Sequence, residues 1–179
     1  MTPTPRPDVL AALRACRLWR TAGDAAVARL AAAATVQEAP RGSVLAAEGD
    51  PADRFGVVVV GRVRVYHLTA DGRTVLLEAL ESGDAFAAAA SLAGGRNPAY
   101  VDAATPVSVA WLDREALFAV LDDDPSVAYG LLTTEQKRFA AEQFVPFGDR
   151  EALLIDAYET FINHRAKHMA GAINQFLGL

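Results

Sequence analysis

The sequence predicts an α+β protein that is mainly β: an antiparallel, jelly-roll-like β-roll with short helices before it and two helices after it. Three observations carry this. Runs rich in β-branched residues recur between about residues 44 and 112, separated by Gly- and Asp-containing turn pairs. Asp71-Gly72 between two alternating runs is the strongest hairpin signal in the chain. Helix-period patterns appear only outside this block, so the strands pair with one another and do not alternate with crossover helices.

In chain order, Met1-Thr2-Pro3-Thr4-Pro5-Arg6-Pro7 is a proline-rich tail expected to be disordered. Leu10, Leu13, Leu18 and Trp19 suggest one short helix, and Val27, Leu30 and Ala34 a second from Asp24 to Ala34. Pro40-Arg41-Gly42 closes this helical part. Strands are expected at Val44-Leu45, Phe55 to Val60, Val63 to Leu68, Val75 to Leu80 and Ala99 to Leu112. A short helix follows from Asp113 to Leu121. Asp124-Pro125 then places an N-cap and a first-turn proline at the start of a helix running to about Phe144. Val145-Pro146-Phe147-Gly148 breaks it, and Asp149 caps a last helix to about Leu177. The expected division is a tail (1–7), a β-roll domain with its leading helices (8–123) and a helical extension (124–179).

Composition narrows the function. The 179 residues are 52% hydrophobic and 22% charged, which permits a packed core and excludes wholesale disorder. Net charge is −5, the wrong sign for a chain whose main partner is nucleic acid. A single cysteine, Cys16, rules out a disulfide within the chain and reads as a small buried residue. The N-terminus lacks a signal-peptide pattern and no apolar run is long enough to span a bilayer, so a cytoplasmic location without membrane contact is expected.

The candidate site is the stretch from Gly83 to Ala99. It opens on a Gly-Asp turn, passes through Ala87-Ala88-Ala89-Ala90 and ends on Gly94-Gly95. A helical turn set between strands, with glycines at both ends, is how a chain aims backbone N–H groups at an anion. Catalytic patterns are missing: no Gly-x-Ser-x-Gly, P-loop or Gly-x-Gly-x-x-Gly occurs. His164 and His168 are spaced i,i+4 on the last helix, near Glu159 and Asn163, as two metal ligands are. Arg165 and Lys167 flank them, and a solvated polar face accounts for the cluster, so neither metal nor other cofactor is expected. His67 stands alone on its strand. The same shortage of histidines disfavours a cupin-like metal-dependent enzyme, the remaining catalytic alternative.

The order of elements resembles the effector domain of the Crp/Fnr family, the cyclic-nucleotide-binding fold, over about residues 18–132. The carrying text is Ala39-Pro40-Arg41-Gly42-Ser43-Val44-Leu45 with Glu48-Gly49-Asp50-Pro51, then Val59-Val60-Gly61-Arg62-Val63, Asp71-Gly72-Arg73, Gly83-Asp84-Ala85-Phe86 and Trp111-Leu112-Asp113-Arg114-Glu115. The resemblance implies a ligand cassette. In members that bind cyclic nucleotides it runs Phe-Gly-Glu, with Arg-Ser or Arg-Thr several residues on; the glutamate takes the ribose and the arginine the cyclic phosphate. Here those positions hold Phe86-Ala87-Ala88 and Asn97-Pro98, with Arg96 displaced by one. Phe86, Ala87, Ala88, Ala89, Arg96, Asn97, Pro98 and Ala99 therefore form a degenerate cassette, expected not to bind cAMP or cGMP but open to another small effector.

The resemblance also implies dimerisation through the helices that follow the roll. Leu131, Leu132 and Phe139 on the first, and Tyr158, Phe161, Ile162, Met169, Ile173 and Phe176 on the second, supply the apolar positions for a homodimer interface. The family's winged helix-turn-helix has no counterpart after Phe147, where the text reads as one helix with no basic face. The Asp149 cap and the stripe to Leu177 favour a natural end there. The expected function is non-catalytic regulation or sensing through dimerisation or protein interaction. The alternative is an effector-responsive transcription regulator that does bind DNA.

Overall fold

The computed structural model describes residues 8–124. The tail at 1–7, both expected helices beyond Pro125, the dimer-interface positions and the His164/His168 pair lie outside the described residues.

Helix α1 (Val9–Ala15) is capped by Asp8, whose Oδ1 accepts from Ala11 N at 2.9 Å. The expected first helix is not continuous: Cys16 is extended (ψ 130°), and Arg17–Trp19 forms a separate 3₁₀ turn. The break turns Leu18 and Trp19 inward, where both are buried. Helix α2 spans Asp24–Ala33.

Eight strands then form two four-stranded antiparallel sheets. They are β1 (Thr35–Ala39), β2 (Val44–Ala46), β3 (Arg54–Val60), β4 (Arg62–Leu68), β5 (Thr74–Glu81), β6 (Ala85–Phe86), β7 (Tyr100–Ala103) and β8 (Val107–Asp113). One sheet has the order β1-β8-β3-β6, the other β2-β7-β4-β5. Helix α3 (Ala88–Ala93) interrupts the roll between β6 and β7, and α4 (Arg114–Asp123) follows β8.

Two clusters of buried side chains make three layers. Between the sheets lie Val58, Val63, Leu80, Phe86, Val101, Val109 and Trp111. On the outer face of the β1-β8-β3-β6 sheet, Leu13, Trp19, Leu30, Phe55, Val57, Leu112 and Leu117 join the helices to the roll. Strands β3 and β8 are thus covered on both faces. That is why Val57-Val58-Val59 and Val109 to Leu112 read as apolar runs without alternation.

Two expectations are corrected. Pro40 does not close a helical segment, because Thr35–Ala39 is a strand paired to β8. Only Ala39 of it is buried, and a strand exposed along its length leaves no period-two apolar signature. The run from Ala99 to Leu112 is two strands, divided at Ala104-Thr105-Pro106. The expected Asp71-Gly72 hairpin is present, with Leu68 paired to Thr74 across its loop. Thr69 N donates to Arg73 O at 2.8 Å, and Asp71 accepts from both the Thr69 hydroxyl and Arg73 Nε.

Candidate ligand site

The stretch from Gly83 to Ala99 is built as its glycines suggest. Gly83 N donates to Val58 O and Val58 N to Asp84 O, which ties the opening turn to β3. Strand β6 then pairs with β3 in the register Gly56↔Phe86 and Val57↔Ala85. Phe86 turns into the core, 1% exposed, with its ring edge-on to Trp111 at 5.2 Å. Gly56 makes this possible, since a Cβ there would lie 2.3 Å from Phe86 Cζ.

Ala87 is the N-cap of α3, at φ 61°, and among the described residues it is the one non-glycine with positive φ. The left-handed region costs an alanine roughly 1–2 kcal/mol. The family pattern has glycine here, so the backbone has kept a glycine conformation without the glycine. Gly94 closes α3 in the same region: its N–H reaches Ser91 O and that of Gly95 reaches Ala90 O, a Schellman-type end. Arg114 lies over Gly94 and so joins the end of α3 to α4.

The candidate residues go to different places. Phe86, Ala88 and Ala99 are buried, and Ala88 belongs to the core shared with the helices. Ala89 is partly exposed and Pro98 exposed. Arg96 points away from α3: its guanidinium donates to Gly49 O at 2.6 Å, and its backbone bridges Pro51. Asn97 is 8% exposed, held by Asn97 N to Asp50 O at 2.8 Å and by Gly49 N to Asn97 O at 2.9 Å. Its side-chain Oδ1 is buried without a hydrogen-bond partner.

Beside Asn97 opens a pocket of about 260 Å³, walled by β2, the turn after it, Arg54 and Trp111. Asn97 is the only member of the predicted cassette in its lining. Asp50, Arg54 and Trp111 were missed from sequence, although a tryptophan on an otherwise aliphatic strand was a usable signal. The Arg54 guanidinium lies 4.2 Å over the Trp111 ring, a cation–π contact. Other arginines are committed elsewhere: Arg64 makes a two-pronged pair with Asp102 (Nε–Oδ1 2.8 Å), which pushes its own pKa up through that hydrogen bond. Cys16 is 2% exposed, and burial pushes its thiol up to about 12, so it offers no nucleophile. His67 is partly buried and paired with Glu48 at 3.0 Å. Among the described residues no cluster of three or more metal-ligating side chains occurs, and no helix is long and apolar enough to cross a membrane.

A β-roll entered by short helices, with a helical turn between its sixth and seventh strands, defines the class of fold. Residues 36–124 match the family model of the cyclic nucleotide-binding domain, and this domain has the fold of the Crp/Fnr cyclic-nucleotide-binding family. Among curated proteins, the chain is 30% identical over 99 residues to the CRP-like cAMP-activated global transcriptional regulator of Mycobacterium tuberculosis, covering 55% of this chain and 44% of that one. It is 36% identical over 105 residues to the acetyltransferase Pat of Mycolicibacterium smegmatis, covering 58% and 31%. Among solved structures, the N-terminal domain of a transcriptional regulator from Streptomyces coelicolor superposes with a TM-score of 0.64 at 28% identity, over 76% of this chain and 99% of that one. The chain thus spans less than half the length of these two curated relatives.

Proposed function

We propose that this chain is a non-catalytic regulatory protein whose cyclic-nucleotide-binding-like domain does not take cAMP or cGMP and answers to a different small effector. Its output is homodimerisation or protein contact through residues 124–179, and DNA binding is not part of it. One observation carries the ligand half: where the family places its phosphate arginine stands Asn97, a neutral amide buried by the backbone of the 49–50 turn. The neighbouring cation does not substitute, because Arg96 is spent on Gly49 O. Where the family places its ribose glutamate, Ala88 presents a methyl group to the core.

The loss of two charge-assisted contacts, roughly 1.5–3 kcal/mol each, moves a micromolar ligand to the millimolar range. The two curated relatives support the regulatory half. A transcription regulator and an acetyltransferase match over stretches of similar length, as expected of a sensing module joined to unrelated outputs. The first relative's name also favours a second reading, a transcription regulator that binds DNA.

Thermal melts separate ligand-competent from ligand-deaf. A site with a Kd of about 10 μM gains about 2.7 kcal/mol at 1 mM ligand, worth roughly 5–11 °C at the 2–4 °C per kcal/mol of a chain this size. A millimolar site gains about 0.4 kcal/mol, near 1 °C. The expected shift with 1 mM cAMP or cGMP is the smaller one. Sedimentation velocity is expected to return a dimer. An electrophoretic shift with mixed genomic DNA fragments that weakens with salt would favour the second reading instead.

A further inference from the structure

The pocket beside Asn97 carries two opposite charges that do not meet. Asp50 and Arg54 both line it, and both are exposed. The Arg54 guanidinium makes no hydrogen bond or ion pair among the described residues beyond its stack on Trp111, and the Asp50 carboxylate makes none at all there. Two such groups lining one small cavity without a bridge of 4.0 Å or less leave it one group for an anion and one for a cation.

Behind the wall lie two more polar atoms, neither of them exposed to the cavity. Asn97 Oδ1 is an acceptor and Trp111 Nε1–H a donor, both buried without partners, and buried polar atoms ordinarily have one. The rest of the lining is short and apolar, with Val44, Leu45 and Ala46 from β2. At about 260 Å³ the space lies just below the range of pockets that hold drug-sized ligands.

These features select a ligand by charge and size. A cyclic nucleotide brings one negative phosphate and a bulky base; its phosphate would meet the Asp50 carboxylate as well as Arg54. A small zwitterion meets both charges with the right signs. We propose that this pocket binds a small zwitterion of the α-amino-acid type, its carboxylate on the Arg54 guanidinium and its ammonium on the Asp50 carboxylate. The β2 wall takes a short aliphatic side chain. This deepens the reading of the domain as an effector module, and rests on it.

Titration of the full chain with glycine, L-alanine and L-valine, using acetate and methylamine as half-ligands and cAMP as comparator, tests it. A zwitterion is expected to bind at least tenfold tighter than either half-ligand. Asp50→Asn, a near-isosteric change at an exposed turn, is expected to weaken it tenfold or more, and Arg54→Gln likewise. Unchanged thermal melts show that these variants fold. Zwitterions that give no signal up to about 10 mM, or that bind equally well to Asp50→Asn, overturn the proposal. If cAMP is silent as well, the regulatory reading stands without it. If cAMP alone binds at micromolar concentration, both fall.

Discussion

Replacing Gly56 by alanine tests the packing that seats the whole cassette. The new Cβ would stand 2.3, 2.6 and 2.9 Å from three atoms of the Phe86 ring, where carbon atoms settle at about 3.5–4.0 Å. The ring must retreat by more than 1 Å or so, yet it is 1% exposed and held edge-on to Trp111 at 5.2 Å. The methyl also sits in the β3–β6 register, opposite Phe86 itself. Overpacking of this kind costs about 1–3 kcal/mol, and a rigid aromatic neighbour places Gly56→Ala at the upper end. The expected loss in a urea melt is about 2–3 kcal/mol, near 4–12 °C in Tm for a chain of this size. Phe86→Leu on its own leaves a cavity and also destabilises. The pair together should lose at least 1 kcal/mol less than the sum of the single changes, because the shorter side chain makes room for the methyl. A loss under about 0.5 kcal/mol for Gly56→Ala, or strict additivity of the two, would refute the contact.

Three further outcomes follow from single residues. Ala87→Gly relieves the φ 61° strain, less the entropy that glycine adds to the unfolded chain, and is expected to stabilise by about 0.5–1 kcal/mol in the same melts; destabilisation would show that the left-handed N-cap is not strained. Cys16, with its thiol pushed up to about 12, is expected to resist a thiol reagent at pH 8 until the protein unfolds, whereas rapid labelling of native protein would place it at the surface. The Thr69 hydroxyl, helped by Arg73, holds the Asp71 carboxyl below its ordinary 3.8. A depressed folded pKa means that this contribution is present above the unfolded value and lost as pH falls through the folded one. Asp71→Asn should therefore flatten the acid limb of the stability curve below about pH 4, and an unchanged limb contradicts the assignment.

The roll was legible in sequence because its punctuation is local. Gly-containing turns announce hairpins wherever they lie, and runs such as Val57 to Val59 are apolar because two layers cover them. What escaped was structure set by distant partners. Thr35–Ala39 becomes a strand only because β8 offers it an edge, and its own side chains are nearly all exposed. Cys16 breaks the first helix so that Trp19 can reach Phe55, 6.0 Å away between ring centres, a contact no spacing rule contains. The candidate site divided along the same line. The replaced cassette positions could be read one by one, whereas the hydrogen bond from Arg96 to Gly49 O joins segments far apart in sequence and could not. The pocket gathers Asp50, Arg54, Asn97 and Trp111 from separate segments, so only the folded chain brings them together.

The proposed loss of cyclic-nucleotide binding turns on Asn97 and Ala88. Isothermal titration of the full chain with cAMP and cGMP measures this most directly. No saturable heat is expected below the millimolar range when Asn97 and Ala88 stand where a cation and an acid would hold the nucleotide. A Kd tighter than about 10 μM for either nucleotide would contradict it.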